Sequence, residues 1–234
     1  MKKIILIQAR LSSSRFPRKM LHGILGIPLV EYVFKRCKES KVANDVAVIT
    51  SVEKSDDALY DFCKEKRIPV FRGPLDDVLR RYIMAAKYYN SSIICRVCGD
   101  SPFVDYMAID KQFIEFEKKS SLEYTITTNC LNGFISEAFT LNLIKKIYNA
   151  DLTKDEKEHV TKYIRDNKKS FEIKELNLNL RPKKLDSFTL TVDYPEDIEI
   201  AEKIVSKFDC INFTSEEIIQ ELNNMKDENE LQNT

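Results

Sequence analysis

Residues 3–19 read Lys3-Ile4-Ile5-Leu6-Ile7-Gln8-Ala9-Arg10-Leu11-Ser12-Ser13-Ser14-Arg15-Phe16-Pro17-Arg18-Lys19. The apolar run Ile4–Ile7 predicts a short buried strand, and the polar stretch that follows predicts a loop at its carboxyl end. In an open α/β sheet that edge opens onto the crevice where ligands bind, so four cations and three serine hydroxyls there are placed to meet a polyanion. A triphosphate is the first candidate. Arginine forks and a lysine point charge suit phosphate oxygens, and serine hydroxyls with backbone N–H groups fill the remaining acceptors. The alternative reading is a solvated basic loop.

The rest of the chain supports an α/β reading. Residues 45–50, 68–71 and 92–97 repeat the short apolar pattern of 3–7, whereas 28–40, 55–66 and 76–89 carry helical spacing with charged faces. Strands separated by helices of that length predict parallel crossovers. All five glycines fall in the predicted loops. The second half reads less regularly: helices at 106–118, 139–149, 155–167 and 195–207, strands near 123–128, 171–176 and 188–192, and a final helix near 214–225. One domain over 1–225 is expected, followed by a polar tail, 226–234, too poor in apolar residues to order itself.

Composition excludes several classes. Lys+Arg and Asp+Glu both total 37, so no global field favours nucleic acid or an anionic membrane, and any anion site is local. The first eight residues are too briefly apolar for a signal-peptide core or a membrane span, which predicts a cytoplasmic protein. Of six cysteines only Cys95 and Cys98 are close, on a predicted strand where residues three apart face opposite ways. Free thiols are expected, not a zinc site. Neither a G-x-G-x-x-G fingerprint nor a Walker-type loop occurs.

Two acidic residues follow strands at the same predicted edge. Asp100, in Gly99-Asp100-Ser101-Pro102, is a candidate ligand for a hard divalent cation beside phosphate oxygens, or else an ordinary turn residue. Asp193 opens Asp193-Tyr194-Pro195-Glu196-Asp197; it is the second ligand candidate, while Asp197 is the structural one, capping the next helix. Glu158-His159 lies on a predicted helix, where His159 reads equally as an anchoring group or a packing residue.

Taken together, several ordered blocks resemble the cytidylyltransferase family that includes spore-coat polysaccharide biosynthesis enzymes and is related to CMP-sialic acid and CMP-Kdo synthetases. The blocks are Gln8-Ala9-Arg10 with Ser12, Arg15, Pro17, Lys19 and Leu21; Gly26-Ile27-Pro28-Leu29; and Phe71-Arg72-Gly73 with Asp77-Val78-Leu79 and Arg81-Tyr82. Arg96-Val97-Cys98-Gly99-Asp100-Ser101-Pro102, Glu158-His159-Val160-Thr161 and Thr191-Val192-Asp193-Tyr194-Pro195-Glu196-Asp197 complete the set.

The resemblance implies a Rossmann-like nucleotide-diphosphosugar-transferase fold with a mostly parallel mixed sheet flanked by helices. It also implies transfer of CMP from CTP to a sugar-acid acceptor, with Mg²⁺ and loss of pyrophosphate. Residue by residue, it implies that Lys19, Arg10 and Asp100 act in catalysis and that Asp100 and Asp193 hold the metal. Gln8, Ala9, Arg10, Ser12, Arg15, Lys19, Arg72 and Gly99 would bind the nucleotide, and Glu137, Glu158 and His159 the acceptor. A homodimer is expected by the same analogy. The family commonly carries an acidic residue shortly before the middle-segment glutamate, where this chain has Ile135 two residues before Glu137; the departure concerns the acceptor more than the reaction. Transfer to a sugar or polyol phosphate is the first alternative. A glycosyltransferase is another, although Asp100-Ser101-Pro102 lacks the second Asp of a D-x-D-like motif, and a catalytically silent scaffold is the third.

Overall fold

The computed structural model describes residues 1–186 and 188–227. The chain runs β1 (Lys3–Gln8), a hairpin of β2 (Gly23–Ile24) and β3 (Ile27–Pro28), α1 (Leu29–Lys38), β4 (Asp45–Ser51), α2 (Asp57–Glu65), β5 (Val70–Gly73), α3 (Val78–Tyr88) and β6 (Ile93–Cys98). It continues through α4 (Tyr106–Lys118), β7 (Tyr124–Cys130), β8 (Glu137–Thr140), α5 (Leu141–Tyr148), α6 (Lys154–Glu158), α7 (Lys162–Asp166), β9 (Ile173–Leu180), α8 (Pro195–Val205) and α9 (Ser215–Asp227). Seven strands form one sheet in the order β5-β4-β1-β6-β8-β7-β9. Only β8 runs against its neighbours; the other pairings are parallel. This is the α/β fold, with a mostly parallel mixed sheet, that the alternating pattern predicted.

Ile4, Ile5, Leu6 and Ile7 are all fully buried because helices cover both faces of β1. Ile5 and Ile7 pack into one core layer with α1, α4, α8 and α9, while Ile4 and Leu6 pack into the other with α3, α5 and α7. Register then fixes the working edge. Gln8 pairs with Ile49 of β4 on one side and Cys98 of β6 on the other, so three loops leave the sheet at one level. Where the first and third loops touch, Gly99 donates its N–H to the Gln8 carbonyl at 2.8 Å, and a Cβ there would lie 2.9 Å from Met20 Sδ and 3.0 Å from that carbonyl oxygen. A side chain would force the loops apart.

Four expectations are corrected in the second half. The helix expected over 139–149 starts only at Leu141, since Glu137–Thr140 form β8, sandwiched between β6 and β7. Glu and Ala favour helix locally; pairing on both edges of the strand overrides them. The helix expected over 155–167 is two short helices, broken where Val160 takes φ 44°, a left-handed conformation no Gly or Asn announces. The strand near 171–176 extends instead over Ile173–Leu180. Residues 188–192 form no regular strand: one bridge joins Thr189 to Asn132, and Val192 donates its N–H to the Asp100 carbonyl at 2.8 Å as the segment crosses the sheet edge. The tail expectation for 226–234 lies, beyond Asp227, outside the described residues.

Two buried carboxylates secure this frame. Asp56, fully buried ahead of α2, accepts hydrogen bonds from the Leu11 amide at 2.7 Å, the Ser51 amide at 3.2 Å and the Ser51 hydroxyl, and so pins the loop after β1 to the end of β4. Glu137 on β8, 4% exposed, accepts from Arg96 at 2.7 Å, Arg165 at 2.8 Å, the Tyr124 hydroxyl, and Thr161 at 2.8 and 2.9 Å. Burial alone would raise the Glu137 carboxyl, but the two guanidinium groups and the hydroxyl donors outweigh it and hold it below the ordinary carboxylate range.

Replacing Asp56 with Ala strands two buried amides, at about 1–3 kcal/mol for each unsatisfied group. The urea midpoint should fall and the Leu11 amide should exchange faster with solvent; an unchanged midpoint would show the pin to be dispensable. Glu137→Gln keeps hydrogen bonding but leaves largely buried Arg96, its side chain 16% exposed, uncompensated, and a loss of about 3 kcal/mol is expected in denaturant titrations at neutral pH. The folded carboxyl titrates below its unfolded value of about 4.3, so its contribution is complete above that pH and fades as pH falls through the folded value. The stability gap between wild type and Glu137→Gln should therefore narrow below about pH 4.

Candidate active site

The loop after β1 is built, not merely solvated. Leu11, Phe16 and Met20 are buried and anchor it to the core, and Arg18 turns it back with φ 58°, donating its N–H to the Leu11 carbonyl at 3.1 Å. Lys19 then begins a single 3₁₀ turn. Between the anchors the polar side chains face a cavity of about 450 Å³ lined by loop residues 8–10, 12–15, 19 and 20, by Cys98 and Asp100 after β6, by Asp193, and by Val78 and Arg81 of α3. Ser12 and Ser14 make no hydrogen bond within the described residues, so their hydroxyls and amides remain for a ligand.

Charge at the cavity wall is paired across segments far apart in sequence. The Lys19 ammonium, 9% exposed, donates to the Val192 carbonyl at 2.7 Å, to Asp100 Oδ2 at 3.0 Å and to Asp193 Oδ1 at 3.2 Å. Arg15 Nη2 reaches the same Asp193 oxygen at 2.6 Å, and its guanidinium lies over the Tyr194 ring. Arg10 lies 3.5 Å from Glu158 Oε1, with both side chains about half exposed, a pair that contributes little to stability. Asp197 has the structural role expected of it, accepting from the Asp193 and Tyr194 amides at 2.6 and 2.8 Å and capping α8.

Of the residues singled out in the sequence, Gln8, Ala9, Arg10, Ser12, Arg15, Lys19, Asp100 and Asp193 converge on this cavity. The others do not line it. Gly99 supports the loop contact, and Arg72 is spent on the carbonyls of Ser51 and Glu53 at 2.8 and 3.0 Å and on Asp57 at 2.7 Å. Glu137 is enclosed by its own partners, Glu158 touches the rim through Arg10, and exposed His159 lies 3.3 Å from Asp155. Exposed Ile135 stands beyond Glu137.

Arg81 and Cys98 are among the lining residues to which the sequence assigned no role. Arg81 is buried, donating to the Pro74 carbonyl at 2.8 and 2.7 Å and to that of Leu75 at 2.7 Å, and it adds to the cavity a cation that makes no salt bridge among the described residues. Its spacing of three from Val78 puts both on one helix face, and Arg81-Tyr82 is one of the blocks that carry the family resemblance, although no role was assigned to it there. Cys98 stands beside it on the cavity wall, and burial pushes its thiol pKa up. Cys95, three residues earlier, is buried in the core on the opposite sheet face, and all six cysteines are free thiols.

Asp100 and Asp193 supply hard carboxylate oxygens on a common ammonium nitrogen, a donor set that fits a Mg²⁺ ion sharing phosphate oxygens with a substrate. No cluster of three or more His, Cys, Asp or Glu suited to a metal occurs among the described residues, so a cation would depend on its substrate for further ligands. No helix among the described residues is long and apolar enough to cross a membrane.

The chain is 34% identical over 222 residues to an uncharacterized protein, MJ1063, of Methanocaldococcus jannaschii, covering 94% of this chain and 89% of that one. It is 30% identical over 209 residues to the spore coat polysaccharide biosynthesis protein SpsF of Bacillus subtilis, covering 87% and 86% respectively. A cytidylyltransferase from Leptospira borgpetersenii superposes with TM-score 0.92 at 29% identity, over 100% of this chain and 99% of that one. The fold is shared more distantly with a CMP:2-keto-3-deoxy-manno-octonic acid synthetase solved with CTP, at TM-score 0.68 and 15% identity, covering 88% of this chain and 99% of that one. The cytidylyltransferase family model matches residues 4–232, almost the whole chain and every segment that meets at the cavity, and the chain belongs to that family of nucleotidyltransferases.

Proposed function

We propose that this cytidylyltransferase binds CTP in the cavity after β1, transfers CMP to a sugar acid and releases pyrophosphate, in the service of surface glycan synthesis. The observation that carries the reading is the meeting of Lys19, Arg15, Asp100 and Asp193 at the wall of a cavity also lined by Ser12 and Ser14, which make no hydrogen bond within the described residues. Two relatives favour this acceptor and pathway: a 3-deoxy-manno-octulosonate cytidylyltransferase of Chloroherpeton thalassium, 32% identical over 123 residues, covering 52% of this chain and 49% of that one, and the SpsF protein of spore coat synthesis.

In this reading an acceptor oxygen attacks the α-phosphorus of CTP. A new oxygen–phosphorus bond forms as the bond to the β-phosphate oxygen breaks, and the leaving pyrophosphate carries away the electron pair. Negative charge grows on the α-phosphoryl and bridging oxygens, so catalysis consists of holding the reactants in line and neutralising that charge. Arg10, Arg15 and Lys19 would hold the phosphates, and buried Arg81 adds a fixed positive field beneath them. Asp100 and Asp193 would hold Mg²⁺, which supplies further neutralisation of phosphate oxygens when bound. Ser12 and Ser14 would complete the phosphate contacts. Arg72 would act at one remove, by fixing the 51–53 segment that Asp56 joins to the loop.

Pyrophosphate release measured with Mg²⁺ over the four ribonucleoside triphosphates, each against sugar acids and sugar or polyol phosphates, should give a signal with CTP and a sugar acid. Release only with a phosphorylated acceptor would replace the sugar acid, and stabilisation by a nucleotide sugar in preference to CTP would favour a glycosyltransferase. Lys19→Ala and Asp100→Asn should each retain the wild-type circular dichroism spectrum and lower turnover by about a hundredfold or more, the scale of a lost charge-stabilising contact. Either variant folding normally with full activity would remove that residue from the mechanism.

A further inference from the structure

Lys19 is already saturated. An ammonium carries three protons, and three oxygens accept them: the Val192 carbonyl and one oxygen each of Asp100 and Asp193. No donor is left over for a phosphate while these bonds persist. Arg15 adds a second cation on the same Asp193 oxygen. Two cations therefore stand against two carboxylates, and the wall has no net negative charge to draw in a bare divalent ion. The ammonium also sits on the oxygens such an ion needs, where like charges at contact distance repel strongly in a partly buried setting.

A triphosphate alters the balance. Its oxygens are new acceptors for Lys19 and Arg15, and each step of either side chain toward them bares carboxylate oxygen. Asp100 Oδ1 and Asp193 Oδ2 have no hydrogen-bond partner among the described residues, so both carboxylates are only half committed to the internal cations.

We infer that Lys19 is an exchangeable internal cation: without nucleotide its ammonium occupies the Asp100–Asp193 pair and holds divalent-ion affinity down, and the triphosphate draws it off, so that metal and nucleotide bind with positive coupling. The inference rests on Asp100 and Asp193 being the metal's ligands. Coupling of this kind is reciprocal, the metal tightening the nucleotide by the factor that the nucleotide tightens the metal. In the absence of both, Lys19 takes over a structural duty, tying the turn after β6 to the segment entering α8.

Mn²⁺ titrated into the full-length protein, with the free ion read by electron paramagnetic resonance, tests this without turnover. Wild type without nucleotide should bind Mn²⁺ weakly, and Lys19→Met should bind it about tenfold tighter or more, within the usual range of site-to-site coupling. Adding Asp100→Asn to Lys19→Met should return binding to the wild-type level. Exposed Arg15 is a second handle should Lys19→Met fail to fold: Arg15→Ala should shift binding in the same direction by a smaller factor. Lys19→Met folded but no tighter than wild type overturns the inference, as does tight binding that survives Asp100→Asn, or, where Lys19→Met does not fold, an unchanged Arg15→Ala. If wild type forms no ternary complex with Mn²⁺ and CTP, the metal-ligand reading itself fails; a ternary complex alongside an unmoved Lys19→Met sinks only the exchange.

Discussion

The parallel pairing of β1 between β4 and β6, with Gln8 level with Ile49 and Cys98, is the constraint on which the rest depends. It ends three strands at one height, so that the loop carrying Lys19, the turn carrying Asp56 and the turn carrying Asp100 leave the sheet side by side. A side-chain period of two makes this register unforgiving. A slip of one residue along β1 would turn Ile4 and Leu6 into the layer now filled by Ile5 and Ile7, and would carry Ala9 away from its contact with Gly99. The four fully buried residues of β1 thus hold the site in place although none of them lines it.

On that frame, buried charge is handled in two ways. Asp56 and Glu137 are surrounded by donors and excluded from the cavity, so they fix geometry and are not free to react. Asp100 and Asp193 are partly exposed, and each keeps an oxygen without a hydrogen-bond partner among the described residues. The contrast follows from position: Glu137 lies within a strand flanked on both sides, whereas Asp100 follows the last residue of β6 and meets solvent. A carboxylate that must exchange partners has to stand at an edge, because full burial penalises each intermediate arrangement in which a charge is left unpaired.

The first half of the fold was legible because each element there obeys its local pattern. Ile4–Ile7 reads as a buried strand and is one, and the helical spacing at 28–40, 55–66 and 76–89 coincides with α1, α2 and α3 to within three residues at each end. The meeting of Lys19 and Asp100 was legible for the same reason, since loops that follow parallel strands in an α/β sheet share an edge, whereas Asp193 arrives there on a segment that is not the strand expected. What escaped were features decided by partners distant in sequence. β8 depends on edges offered by β6 and β7, and the arrest of α6 depends on a left-handed Val160 that no residue type signals. Arg81 has the sequence character of a solvated helix cation; only the Pro74 and Leu75 carbonyls turn it inward. Asp56 resembles any helix-capping aspartate until Leu11 is found beside it.

The electrostatics of the cavity bear on how a nucleotide enters it. The chain carries no net charge, and on the cavity wall Lys19 and Arg15 are offset by Asp100 and Asp193, while Arg10 leans toward Glu158. Long-range attraction of a triphosphate is correspondingly weak, and solvent ions screen what remains beyond about 10 Å at ordinary ionic strength. In the proposed function, selectivity would then come from contact, through cations that leave their carboxylates for a ligand with enough oxygens in the right places. A single phosphate group has fewer oxygens to share among Arg10, Arg15 and Lys19 than a triphosphate chain has. Internal pairing thus does more than keep the unliganded site soluble and ordered. It raises the threshold for occupancy to a ligand that can re-partner the whole wall at once, and a nucleoside triphosphate has the charge and reach to do so.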